Sequence, residues 1–308
     1  MTILYTDALF LQHDTGQHPE NPGRLRAITG QLEKSGLAKL CKAVDFKPLD
    51  EAAITKLHDP KMLVQIKQMC QHGGGQLDPD TVVSPQSFDV ALHAAGACVA
   101  AVDAVLKGED KTALCLVRPP GHHATPHRVM GFCLFNNIAL AARHAKAAHK
   151  LGRILIVDWD VHHGNGTQDI FYADGEVYFL SIHRFPFWPG TGRQDETGTG
   201  KGLGFIRNVP VRFGTSRKEF VDRFTEALHH AADMIKPELV LISAGFDAHA
   251  QDPIGSLGLE VEDFGTLTTR VLEVAKTHAA GRVVSCLEGG YNLTRLAESV
   301  QLHLETLL

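Results

Sequence analysis

The six cysteines of this 308-residue chain (41, 70, 98, 115, 133 and 286) include no CxxC pair, so zinc-finger and disulfide frameworks are excluded. Scattered thiols of this kind are expected to be reduced, in a cytoplasmic protein. Cys133 is read as a small buried residue rather than a nucleophile. No segment approaches 18 uninterrupted apolar residues, and MTILYTDALF has neither a cationic start nor a long apolar stretch. Neither a membrane span nor a signal peptide is therefore expected. The formal net charge is −5 with no long basic run, which argues against nucleic acid as a partner. A GxSxG elbow is also missing, which disfavours a serine hydrolase. GTGKG (198–202) lacks a glycine at 195 and a Ser/Thr after Lys201, so it fails as a phosphate loop.

The content that remains is globular: 44% hydrophobic and 21% charged, enough for a substantial core. With no Pro/Gly/Ser linker and no internal repeat, one domain over 1–308 is expected. Apolar runs at 2–5, 112–117, 153–157, 177–183, 238–244 and 282–287 read as strands. Helical patterns near 22–36, 87–108, 135–152, 218–235, 262–280 and 294–306 alternate with them. Continuous apolar strands between helices imply an α/β fold with a mostly parallel sheet covered on both faces. Segments 72–86 and 184–204 read as long irregular loops, of the kind that carry function.

Histidine, at 18 residues, is the unusual count. His144, His149, His229 and His230 fall on helical patterns and read as surface or packing residues. The informative ones lie in polar clusters that each follow a strand: RPPGHH after TALCLV, DWDVHHGNG after RILIV, SIHRF at the end of VYFL, AGFDAHAQDP after ELVLIS, LEGGYN after RVVSC. In a parallel sheet the C-terminal strand ends share one edge, where binding crevices form, so these clusters converge. Within DWDVHHGNG, extended chain would put Asp158, Asp160 and His162 on one face and Trp159, Val161 and His163 on the other. Three such donors, with Asp247 arriving from another strand end, point to a metal site.

Together RPPGHH, GFCLFNN, DWDVHHGNGTQ, PGTG, AGFDAHAQDP and LEGGYN resemble the histone deacetylase superfamily. That includes its bacterial histone-deacetylase-like amidohydrolases and acetylpolyamine amidohydrolases. HPENPGRL (18–25) and GGGQLDPDTVVSPQS (73–87) fit the same pattern. The resemblance implies the arginase/deacetylase fold, a single α/β domain around an eight-stranded parallel sheet. It implies one catalytic Zn2+ held by Asp160, His162 and Asp247, and His123 as the base that later protonates the leaving amine. His122 would be paired with Asp158, and Tyr291 would donate to the developing oxyanion. Structural K+ is implied near Asp158 and Ser181, and again around Phe171 and Val177. Gly131, Phe132 and Trp188 would line a narrow tunnel, with Ile254 at its mouth and Gln86 as a rim contact. Asn165 is the neutral variant of the class II branch. Lacking a carboxylate there, His123 should keep a lower pKa and favour the base role. His163 is left as packing or loop support.

The expected reaction is hydrolysis of an acetylated amine, releasing acetate. Polyamine-specific relatives can carry a glutamate in the DPxG segment, and here that position is Ile254, which tilts the reading toward acetyl-lysine or broad specificity. Asp14, Asp195 and Glu196 are other sources of charge near the mouth. A strict acetylpolyamine amidohydrolase is the alternative, and homo-oligomerisation is left open. A binuclear manganese ureohydrolase would want a DxD at 247–249, where the chain reads D-A-H. A non-catalytic acyl-lysine reader would have no use for Tyr291.

Overall fold

The computed structural model describes all residues from Met1 to Leu308. Eight strands form one sheet: β1 (Thr2–Tyr5), β2 (Lys42–Ala43), β5 (Thr112–Cys115), β6 (Ile154–Asp158), β7 (Val177–Arg184), β8 (Ile206–Val211), β9 (Leu239–Ala244) and β10 (Val283–Leu287). Their order is β2-β1-β5-β10-β9-β6-β7-β8, and every adjacent pair is parallel. β3 (Gly75–Asp78) and β4 (Thr81–Val83) form a separate antiparallel hairpin. The central strands β5, β6, β9 and β10 are buried at every position, which is why they read as continuous apolar runs rather than alternating ones.

Helices α1 (Gly23–Ser35), α4 (Ser87–Lys107), α5 (Asn137–His149), α7 (Arg217–Ile235), α8 (Val261–His278) and α9 (Leu293–Leu307) lie where the sequence pattern puts helices. α2 (Glu51–Ile54), α3 (Pro60–Gln71) and α6 (Asn165–Phe171) were not expected, nor were β2, β8 and the hairpin. α3 has a clear start signal in hindsight, an Asp59 side chain accepting from Lys61 N–H and a proline at the first turn. α5 stops at His149, with Lys150 in the left-handed region, three residues before the glycine expected to end it. Among the helices α4 alone is long and apolar enough to cross a bilayer by composition. Most of that surface is buried against α5, β5 and β10, which accounts for its small apolar residues.

Side chains on α5, α7 and α9 cap their own first turns: Asn136 accepts from Ala139 N–H, Ser216 from Glu219 N–H and Asn292 from Arg295 N–H. Each such cap is worth about 1 kcal/mol. Asn136 does more, because its amide also donates to the carbonyls of His122 and Ala124. The start of α5 is thereby tied to the loop after β5 at the C-terminal edge of the sheet.

Candidate active site

β6 ends at Asp158, and beyond it the chain leaves strand geometry. What keeps the next donors on one side is a pair of local turns: Asp160 N–H donates to Asp158 Oδ1 (3.1 Å) and His162 N–H to Asp160 Oδ1 (2.9 Å). Strand alternation put Asp158, Asp160 and His162 on one face; here a chain of carboxylate-capped turns presents Asp160 and His162, while Asp158 turns to His122. Asp247, after β9, meets them through Val161 N–H, which donates to its Oδ1 at 2.9 Å.

Asp160, His162 and Asp247 are buried, and their ligand atoms lie within 4.8 Å of one another. His162 Nδ1 is 3.1 Å from both Asp160 Oδ1 and Asp247 Oδ2. Burial and the neighbouring Asp160 push the Asp247 carboxyl up to about 7. Burial acts the same way on Asp160, but His122 and His162 outweigh it and hold its carboxyl low. Burial opposes the charge of His162, but Asp160 and Asp247 outweigh burial and hold it up at about 9. A buried set of two carboxylates and an imidazole nitrogen aimed at one point needs a cation to balance it, and a divalent ion fits those donors. Gly289 leaves the space open: a Cβ there would lie 2.3 Å from Asp247 Oδ2 and 2.5 Å from Asp160 Oδ2, while its N–H donates to Asp160 Oδ2 at 2.8 Å.

The two histidines after β5 have ring centroids 3.9 Å apart and opposite partners. His122 Nδ1 is 2.9 Å from Asp158 Oδ2. Burial opposes its charge, yet Asp158, Asp160 and Glu288 together push it up to about 10. His123 Nδ1 is 2.8 Å from Asn165 Oδ1. Burial, then His122 and His162, hold it well below its ordinary value, so it is neutral. With Nδ1–H spent on Asn165, Nε2 carries the free lone pair.

A cavity of about 200 Å³ is lined by His123, Gly131, Phe132, His162, Trp188, Ile254 and Tyr291, all anticipated, and by Asp80 and Phe187, which were not. Trp188 stands edge-on to His123 with centroids 4.7 Å apart, and Phe187 stacks on His162 at 5.2 Å. Gly131 N–H donates to Asp80 Oδ1 at 2.9 Å, so the hairpin turn between β3 and β4 holds the tunnel wall. The signal for Asp80 lay in LDPD, inside a stretch read as irregular. Gln86 is not brought to this cavity: it borders a separate groove with Asp14, Asn21 and Arg26. Asp195 and Glu196 also lie outside the cavity lining.

Beneath Tyr291 lies a buried ionic network that the sequence reading did not single out. Arg118 grips both Glu20 oxygens (2.5 and 2.8 Å), and Arg24 Nη1 donates to Glu20 Oε1 at 3.1 Å. Arg24 also donates to the carbonyls of Gly290 (2.6 Å) and Glu288 (2.5 Å), and its guanidinium carbon is 5.0 Å from the Tyr291 ring centre. Tyr291 N–H donates to Asp252 Oδ2 at 2.7 Å, and burial raises its hydroxyl well above the ordinary value. Asp158 and Ser181 are register partners across β6 and β7, while Phe171 ends α6 and Val177 opens β7.

Comparison with known proteins agrees with this geometry. The Histone deacetylase domain family matches residues 18–307. A histone deacetylase-like amidohydrolase of Pseudomonas aeruginosa is 38% identical over 278 residues, covering 89% of this chain and 73% of that protein. The polyamine deacetylase HDAC10 of Homo sapiens is 42% identical over 302 residues, 94% of this chain and 44% of that longer protein. Among solved structures, the HDA15 HD domain superposes with a TM-score of 0.93 at 34% identity, covering 99% of this chain and 87% of that one.

Proposed function

The chain belongs to the histone deacetylase family, and from that premise we propose a zinc-dependent deacetylase that hydrolyses the acetyl amide of acetyl-lysine side chains, with tolerance for other acetylated alkylamines. One observation carries the reading: Asp160, His162 and Asp247 converge, and His162 of that set lines the cavity together with His123, Tyr291 and the aromatic wall. Asp160, His162 and Asp247 would hold the zinc. When bound, it polarises an amide carbonyl and lowers the pKa of a water toward about 7.

The chain's own groups supply the rest. His123, neutral and with Nε2 free, takes the proton of the attacking water and returns it to the departing amine, a role worth about 10²–10⁴-fold. His122 stays cationic beside Asp158 and stabilises the negative charge that develops. Tyr291 donates to the oxygen gaining charge, which is worth a few kcal/mol at roughly 3 kcal/mol per preorganised donor. Phe132, Phe187 and Trp188 shed water around the alkyl linker, at about 0.8 kcal/mol per buried CH₂. The pair Asp158 and Ser181 and the region of Phe171 and Val177 would hold K+, a reading supported by the family resemblance.

A second reading, a strict acetylpolyamine amidohydrolase, is favoured by Asp80, the one carboxylate that lines the cavity. Side-by-side kcat/KM values for acetyl-lysine peptides, N-acetylputrescine, acetylcadaverine and acetylspermidine separate the two. Acetyl-lysine turnover within about an order of magnitude of the best polyamine supports the first reading. An acetylpolyamine advantage of several orders sinks it. Metal analysis should find one zinc at the Asp160, His162 and Asp247 site, and two manganese ions there with ureohydrolase activity would overturn the assignment.

A further inference from the structure

A second set of ligating side chains lies away from the cavity, on α4 and α5. His144 Nε2 and His149 Nε2 are each 2.6 Å from the same oxygen, Asp103 Oδ1. Their rings are 5.8 Å apart at 72°, and the three ligand atoms lie within 4.8 Å of one another. All three side chains are partly open to solvent, at 32% for Asp103, 28% for His144 and 22% for His149. An ion could therefore reach them without unfolding.

The location also favours a cation. Asp103 sits one turn from the C-terminus of α4, and His149 is the last residue of α5. Two helix C-termini meet here, each carrying about half a negative charge. A carboxylate at such a position has the wrong sign for the helix and needs a positive neighbour. Lys107 Nζ, 3.8 Å from Oδ2, supplies part of it and leaves Oδ1 to the imidazoles. In the metal-free state both rings donate Nε2–H to Oδ1. A bound ion would replace those two protons, with the imidazoles shifting to their Nδ1–H tautomers.

We propose that Asp103, His144 and His149 form a second divalent metal site, for a borderline-soft ion such as Zn2+. Ligands on one tetrahedral zinc sit about 3.3 Å apart, so the two rings need to withdraw by less than about 1 Å. Solvent-exposed side chains at helix ends can do that. The site joins the C-terminal ends of α4 and α5. It lies roughly 10–20 Å along α5 from the end beside His122, since His144 and His149 are well down a 13-residue helix that rises about 1.5 Å per residue. It is therefore independent of the proposed chemistry.

The test is a calorimetric titration of Zn2+ into the full chain whose deacetylase site is already loaded. The expected result is one further equivalent, accompanied by a rise in thermal midpoint. Asp103→Asn or His149→Gln should each weaken that equivalent by about tenfold or more while leaving deacetylase turnover unchanged. Cu2+ bound at the same site should show coupling to two imidazole nitrogens by electron paramagnetic resonance, reduced to one in H149Q. No further equivalent, or one of equal affinity in both variants, would leave only a histidine–carboxylate contact and overturn the proposal. His144→Gln gives a second test should Asp103→Asn fold poorly.

Discussion

His122 and His123 are chain neighbours with opposite electrostatics, and the difference comes from one atom on each partner. Asp158 gives His122 a full negative charge, whereas Asn165 gives His123 only an amide oxygen. The first ring is held cationic and the second neutral. His123→Ala should lower kcat/KM by about 10²–10⁴ with zinc content unchanged. Tyr291→Phe should lower kcat by about 10² or more with a smaller effect on KM. Steady-state kinetics on one acetylated substrate read both, and equal loss of zinc would show that the site had collapsed instead. Gly131 sits at φ +57 against the same histidine. A Cβ there would lie 2.4 Å from His123 Cδ2 and 2.5 Å from Trp188 Cη2. Gly131→Ala must displace both of them, and a shift of His123 near 1 Å is enough to cost about 10²-fold in turnover.

At the scale of elements, the segment between β7 and β8 carries both Phe187 and Trp188, and Glu196 ties its end down. Glu196 accepts from Gln168 Nε2 (2.7 Å), Gly192 N–H (3.0 Å) and Arg193 N–H (3.0 Å). Gln168 lies on α6 and also accepts from Asn208 of β8, and its Oε1 lies 3.0 Å from His163 Nε2. His163 is thus the loop support that its position in DWDVHHGNG suggested, bridging Gln168 and Thr191. Glu196→Ala should free the aromatic wall while leaving His123 and the metal-binding residues in place. A raised KM with kcat within a few-fold is the expected split, since uniform substrate binding is lost rather than transition-state contacts. Trp188 is the more exposed of the two tryptophans, so its emission should shift to the red.

For the molecule as a whole, buried ionisable groups set the acid limit. His13 and His58 are held near 4 and His303 near 3, each by burial. Unfolded histidines take up protons near 6.5, so the unfolded chain binds more protons below that pH. The contribution of these three histidines is therefore full above about pH 6.5 and falls as pH drops toward 4, by up to ~1.4 kcal/mol per pH unit for each. Glu20 extends the loss: burial opposes its charge, but Arg118 outweighs burial and holds it near 2. Its contribution is present above about 4.5 and disappears as pH falls through 2. Denaturant midpoints measured at intervals from pH 7.5 to 4 should fall less steeply in a His13→Gln variant than in the parent chain, and identical slopes would contradict the assignment. Glu20→Gln at neutral pH should cost about 3–5 kcal/mol, because Arg24 and Arg118 would remain buried without their carboxylate.

The sequence alone determined the parallel α/β architecture and the convergence of its polar clusters on one sheet edge. Both follow from local signals, continuous apolar strands and the polar residues that end them. It also named Asp160, His162, Asp247, His123 and Tyr291 through motif order. Only the tertiary structure decided which carboxylate reaches the cavity, Asp80 rather than one near Gln86, because a hairpin turn folds Asp80 against Gly131. The Glu20–Arg118 pair was equally out of reach: its partners lie 98 residues apart, and nothing local marks an ion pair that exists only because both halves are buried together. The same holds for Asp103, which nothing in the sequence marks, and for His144 and His149, which read as surface or packing residues: they meet only because α4 and α5 pack with their C-termini side by side.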